Sequence, residues 1–375
     1  MIIFTQDISV DKLLHAYNNN VIRFRSNNVG VSPITAVISL GSQTITIYPL
    51  PSGDFYFNFL EYITALIGID KFVDDLQTNI DASDINSFTY AGNGYLNFNV
   101  NILINFTNLT TDSITRNLRF TASVEQLENY KKNVAQTNAN IVQLPLYPST
   151  NNSYYAKYFE GYPFDISFCQ STPINIKIEN TTNLLDATFQ QKGNVTRLFF
   201  SDGRVDESIT DYLPIALGLN ILKWDFKNLF IHIDKVDVSC GVYMKWFNNY
   251  NGYSYWLFPN YAKRDLNRSN IGTLNTDFSN IEDTYAPTTQ LGVVAGERLV
   301  VNSDKLKDEE FNLLRTILTS PKVYFFTGQP FAQSGVMDWL EVEVTTTSTT
   351  TRNSKGQQNE VTLQFNLPEL YTQKL

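Results

Sequence analysis

The stretch Cys240-Gly-Val-Tyr-Met-Lys-Trp-Phe-Asn-Asn-Tyr-Asn-Gly-Tyr-Ser-Tyr-Trp-Leu-Phe258 sets two aromatic arms around a centre, Asn248 to Gly252, made of residues that accept turns and left-handed backbone. It reads as a β-hairpin. Val242, Met244 and Trp246 alternate on one arm and Tyr253, Tyr255 and Leu257 on the other, so one face of the pair is expected to be buried and the other left on view. Trp246 is expected in the core, with Trp224 and Trp339, while Tyr250, Tyr253 and Tyr255 beside the turn are expected at the surface.

On either side of the hairpin the pattern is mostly of strands. Leu96, Phe98, Val100 and Ile102 alternate with Asn97, Asn99 and Asn101, which predicts a half-buried antiparallel strand. Thr44 to Tyr48, Tyr158 to Phe168, Ile174 to Ile178, Arg197 to Phe200 and Leu222 to Ile233 read the same way. Helical spacing is confined to Phe59–Ile67, to a short segment over Glu125–Ala135, and to Asp308–Leu318, where Phe311, Leu314, Ile317 and Leu318 form a stripe that Pro321 ends. Asn260 to Pro287 is polar and poorly periodic, and predicts a long surface excursion. Leu340, Val342 and Val344 match Val361, Leu363, Phe365 and Leu367 as the arms of a final hairpin. Between those arms, Thr345 to Glu360 is threonine-rich and has no packing side chains; it reads either as a tongue reaching a neighbouring subunit or as a plain loop.

The chain has 375 residues, enough for roughly two to three domains. Its expected fold is mainly β with a few short helices, in successive antiparallel β-sandwich modules. Residues 1–140 form a β-sandwich-like domain, 141–155 a linker rich in Asn, Pro, Ser and Thr, and 156–288 a second β-sandwich with the aromatic hairpin. Residues 289–375 form a strand, helix, strand and hairpin unit.

Charged residues make up 17% of the chain, below the usual quarter or so, and the formal net charge is -9. No run of Lys and Arg is present to neutralise phosphates, so nucleic acid is not an expected partner. The longest apolar run, Phe57–Ile69, is broken by Glu61 and Thr64, so membrane insertion is not expected either. Met1-Ile-Ile-Phe4 meets Asp7 and Asp11 without a basic start, unlike a secretion signal. Cys169 and Cys240 are expected as two free core thiols of a protein made in a cytoplasm, with a disulfide between them as the alternative.

The only histidines are His15 and His232, and neither sits at ligand or triad spacing from other chemistry. No metal, cofactor or catalytic residue is expected. Asp202, Asp206, Glu207 and Asp211 in the loop from Ser201 to Asp211 supply carboxylates of the kind a glycan-degrading enzyme would need, and the cluster reads first as a solvated turn. Exposed tyrosines can stack on sugar rings or anchor a protein interface.

The run Tyr243-Met-Lys-Trp-Phe-Asn-Asn-Tyr-Asn-Gly-Tyr-Ser-Tyr-Trp-Leu-Phe258, together with Phe159 to Asp165 and the ending Ser320–Tyr324, Asp338–Val342 and Leu363–Leu367, resembles structural proteins of tailed phages and prophages of Bacteroidota. At the turn the sequence departs from that pattern, with Tyr250-Asn251-Gly252 in place of paired glycines. The resemblance implies a virion protein of the tail tip or baseplate, made in the host cytoplasm, used in many copies, and with no catalytic residues to carry over. Expected partners are copies of itself and other tail proteins, with Tyr250, Tyr253, Tyr255, Thr347, Thr349, Asn353 and Lys355 as interface candidates. The alternative reading is a receptor- or carbohydrate-binding module with the tyrosine turn as its platform and a host surface glycan as ligand. A glycan-degrading tail enzyme using Asp206 or Glu207 is the third.

Overall fold

Period-two alternation dominates the chain, and the computed structural model is correspondingly a mainly β protein with two short α-helices. It describes residues 1–8, 10, 13–28, 30–68, 72–124, 127–128, 131–132, 147–148, 153–170, 175–203, 209–224, 229–237, 241–259, 261–275, 288–328, 339–346 and 360–373. The chain forms two units, one made of Met1–Lys235 with Asn248–Tyr253, the other of Val236–Phe247 with Ser254–Leu375.

The first unit opens with β1 (Ile2–Gln6), β2 (Leu13–His15), β3 (Val21–Ser26), β4 (Pro33–Leu40), β5 (Gln43–Ile47), β6 (Phe55–Asn58), α1 (Leu60–Ile67), β7 (Thr89–Ala91), β8 (Tyr95–Phe106) and β9 (Thr111–Thr121). Strands β1, β3 and β6 make one antiparallel sheet, and β2, β9, β8, β4 and β5 make a second in that order. Ile22, Phe24, Phe55 and Phe57 from the first, and Ile38, Val100, Ile102 and Phe120 from the second, are buried. Phe59 bridges them, edge-on to Phe57 at 4.8 Å and 6.4 Å from Phe120. The alternation over β8 is as the sequence predicts, with Val100, Ile102 and Ile104 inward.

The helix expected over Glu125–Ala135 is not what forms. Its described residues are two short antiparallel strands, β10 (Leu127–Glu128) and β11 (Lys131–Lys132), with Leu127 opposite Lys132. A helix of that length is marginal unless packing holds it, so propensity alone does not decide the segment. In the expected 141–155 linker, Tyr147–Pro148 is strand β12, and β13 (Ser153–Phe159) begins before the linker ends.

The chain continues through β14 (Phe164–Cys169), β15 (Ile176–Asn180), β16 (Leu185–Phe189), β17 (Val195–Ser201), β18 (Gly218–Trp224) and β19 (Leu229–Val236). A six-stranded sheet runs β12-β13-β19-β18-β15-β16, and a three-stranded one runs β14-β17-β7. They meet through aromatic pairs, Phe168 with Trp224 at 5.5 Å and Tyr158 with Phe164 at 5.4 Å. Strand β7 comes from the first hundred residues yet pairs with β17, with Tyr90 opposite Arg197. This pairing holds the two halves of 1–235 in one unit.

The second unit is built on β20 (Val242–Phe247), β21 (Tyr253–Phe258), β22 (Tyr261–Asn275), β23 (Thr288–Asn302), α2 (Asp308–Arg315), β24 (Val323–Phe326), β25 (Trp339–Val344) and β26 (Thr362–Leu370). Its sheet runs β21-β20-β24-β25-β26-β23-β22. Helix α2 starts where the backbone N–H of Lys307 donates to Glu310 Oε2 at 2.9 Å, and it buries Phe311 and Leu314, with Ile317 in the 3-10 turn that follows. Trp246 Nε1 donates to Thr316 Oγ1 at 2.9 Å, which fixes the end of this segment on β20. Trp246 and Trp224 are core residues, as expected; Trp339 is half-buried. No helix among the described residues is long and apolar enough to cross a membrane.

Candidate assembly surface

The hairpin forms as the sequence predicts, but neither face is left on view. Every residue of β20 and β21 is buried, including Tyr253 at 6% and Tyr255 at 4% exposure, so the expected exposure of these two tyrosines is overturned. The Trp246 side of β20 meets the α2 segment through Thr316. On the other side, Tyr243, Tyr255, Phe326 and Trp339 form a cluster, with Tyr243 5.9 Å from both Tyr255 and Trp339 and Phe326 5.0 Å from Trp339. Lys245 belongs to this aromatic set, its ammonium 4.2 Å from the Trp339 ring centre and 5.2 Å from that of Tyr324. Alternation marks one apolar face of a strand, but it is silent on whether aromatic residues on the other face find cover.

The turn is an anchor within the first unit. Asn248 Oδ1 accepts from the N–H groups of Tyr250 and Gly252, and Asn248 N donates to Gly252 O at 2.9 Å, closing the loop. Asn251 takes φ +66°, a conformation asparagine tolerates, and its Nδ2 donates to Asn93 O at 3.0 Å. Gly94 makes this approach feasible, because a Cβ there would lie 2.1 Å from Asn251 Oδ1. Tyr250 is half-buried.

Beneath the turn lies a buried set of charges. Arg197 on β17 donates through Nε and Nη2 to the two oxygens of Asp165 on β14, at 2.9 and 2.7 Å, and through Nη1 to Asp74 at 2.8 Å. Its guanidinium stacks between Tyr253, at 4.7 Å, and Phe199, at 4.9 Å. This planar fork, matched to a carboxylate and capped by rings, holds the core and fixes Tyr253. Asp74 is 123 residues from Arg197, so no spacing in the sequence announces the pair.

The open surface lies where the sequence predicted a polar excursion. Residues 261–275 of that stretch are the strand β22, paired along its length with β23 from Tyr261↔Asn302 to Asn275↔Thr288; residues 276–287 lie outside the described residues. The strand was not legible as one because nearly all its side chains face water, so it carries no alternation of apolar and polar residues. It is the last strand of the sheet, and its outer edge pairs with no other strand among the described residues.

Strand β26 covers β23 only from Ala295 to Asn302. Beyond that, Ser269–Asn275 and Thr288–Val294 form a two-stranded ribbon without one charged residue. Ile271 and Leu274 are 48% and 58% exposed on it. The proximal half of β22 is charged instead, with Lys263 paired to Asp265 at 2.9 Å and Arg264 to Glu297 at 3.5 Å.

Thr347, Thr349, Asn353 and Lys355 lie outside the described residues, as do Asp206, Glu207 and Cys240. Asp202 is buried and Asp211 exposed. Cys169 is a free thiol whose burial pushes its pKa far up, away from reactive thiolate. His232 stacks on Tyr155 at 4.6 Å, and desolvation lowers its pKa. Among the described residues, no three His, Cys, Asp or Glu side chains converge as a metal-ligand set.

No family model and no curated protein matches the sequence. Solved structures similar to it include a chimeric titin carrying an exogenous peptide from decorin, at 10% identity over 63% of this chain and 96% of that one, with a TM-score of 0.17. Another comes from work on host cell surface retention of a bacterial ice-binding adhesin, at 8% identity over 81% and 92% of the two chains, with a TM-score of 0.19. Scores this low carry no argument about kinship.

Proposed function

We propose that this chain is a non-enzymatic structural subunit that assembles in several copies by strand addition at β22 and, from the sequence resemblance, that it is a virion protein of the tail tip or baseplate of a tailed phage. Its partners are then copies of itself and other tail proteins. The observation that carries the reading is the edge of β22, 15 residues long, paired with no other strand among the described residues and running into an uncharged ribbon. An open edge exposes a row of backbone donors and acceptors ready to pair with another chain, and proteins that must stay single blunt such edges with charge. Here the charges stop at Arg268, and a two-stranded ribbon gains stability when a further strand covers it.

The test is size-exclusion chromatography and negative-stain imaging of the purified chain, alone and with neighbouring tail gene products. Rings or higher oligomers are expected, and Ile271→Lys with Leu274→Lys is expected to return the chain to monomers with an unchanged circular dichroism spectrum. A wild-type chain that stays monomeric and binds none of those proteins would sink the reading. The carbohydrate-binding alternative loses its platform at Tyr253 and Tyr255, whose rings lie in the interior.

A further inference from the structure

Strand β25 has two neighbours and treats them differently. With β24 it pairs over four residues, from Val323↔Val342 to Phe326↔Trp339. With β26 it pairs only at Glu343↔Asn366 and Val344↔Phe365, extended by the N–H of Thr345 donating to Gln364 O at 2.8 Å. Carried on, that register would set Val342 opposite Leu367 and Glu341 opposite Pro368. The strands part instead. Pro368 offers no N–H to either neighbour, and β26 follows β23 through Glu369↔Gly296 and Leu370↔Ala295 after an irregularity in register.

Where they part, Glu341–Val344 of β25 and Asn366–Glu369 of β26 border a cleft with a volume of about 620 Å³, and among the described residues no strand pairs with Glu341 and Val342 on that side. Leu318 and Leu367 line it with part-exposed apolar surface over the buried Val323 and Val342, and Glu341, Glu343 and Glu369 line it with exposed carboxylates. Among the described residues Lys322 is the one basic residue of the lining, and it is already paired with Glu341. Three carboxylates against one ammonium make the described lining negative.

We propose that this cleft docks an extended, lysine- or arginine-bearing segment of another protein. A strand entering it would find backbone groups on the open edges, and its alternate side chains would point in two directions. One set meets Leu318 and Leu367; the other brings cations to Glu343 and Glu369. Opposite charge also steers the approach and rejects acidic segments. The cleft is separate from the β22 edge, and the proposal holds or fails independently of self-assembly there.

The probe is a fluorescein-labelled, end-blocked heptapeptide alternating lysine and valine, followed by anisotropy with the full chain at low salt. Saturable binding is expected. Glu343→Gln with Glu369→Gln is expected to weaken it by about ten-fold or more, a loss of about 1.4 kcal/mol. An equal neutralisation in the other unit, Glu61→Gln with Asp186→Asn, is expected to leave it unchanged, and a glutamate–valine peptide is expected not to bind. The proposal is overturned if the lysine–valine peptide does not bind, if the cleft variant binds as tightly as wild type, if both variants weaken binding equally, or if the acidic peptide binds as well.

Discussion

Replacing Arg197 by methionine is expected to destabilise the protein by about 3–5 kcal/mol, the cost of removing one member of a buried ion pair. The side chains of Asp165 and Asp74 are 1% and 5% exposed, and both lose their guanidinium partner in the variant. Tyr253 loses the cation it covers at 4.7 Å, so the seat of the hairpin turn loosens as well. Methionine keeps much of the volume, which separates the electrostatic loss from a cavity. Urea unfolding followed by circular dichroism measures the change. Adding Asp165→Asn to Arg197→Met is expected to recover part of the loss, because it removes one of the two buried negative charges that faced the guanidinium. A single-variant loss below about 1 kcal/mol would mean that the cluster is hydrated, contrary to its burial.

The second large effect is a pH dependence set by His15. This residue ends β2, which runs parallel to β9 with His15 opposite Thr121. Its Nδ1 lies 2.9 Å from Ser123 Oγ, which in turn lies 2.6 Å from Thr121 Oγ1. Desolvation lowers the pKa of the ring from 6.5 to about 4. The unfolded chain therefore takes up a proton near the ordinary value, while the folded chain resists it. Stability from this source is complete above pH 6.5, falls as pH drops from 6.5 to about 4, and levels off below.

The shift corresponds to at most about 3 kcal/mol, since the ring retains some contact with water. Urea midpoints of wild type and His15→Gln, measured from about pH 7.5 to about pH 4, are expected to differ in slope within that window, with the variant the flatter. Carboxylates such as Asp112, whose pKa its hydrogen bonds to the N-terminus and Ser26 lower, act at more acid pH and are common to both proteins. Parallel curves would show that His15 titrates equally in the folded and unfolded chains.

Backbone pattern made part of this protein readable without a structure. The asparagine-backed alternation of β8 and the helical stripe Phe311, Leu314 and Ile317 are local signals, and each forms where the residues put it, whereas of the expected final hairpin arm only Val344 meets Phe365. The hairpin of β20 and β21 belongs with them, down to the left-handed Asn251 in its turn. These elements are decided by residues within a few positions of each other, so a linear reading reaches them.

Tertiary structure decided which surfaces stay open. Tyr253 lies inside because Arg197, 56 residues away in the chain, covers it, and Tyr255 because Trp339, 84 residues away, closes over it beside Tyr243. Strand β22 is a strand because β23 pairs with its backbone, an interaction between main-chain groups that leaves no mark on side-chain pattern. The cleft between β25 and β26 exists because one proline and a slipped register end a ladder that the apolar alternation would have continued. Sequence thus determined the elements and their amphipathic faces through local sterics and burial preference. Which faces and edges remained for a partner depended on long-range packing and backbone pairing, which no single stretch of sequence contains.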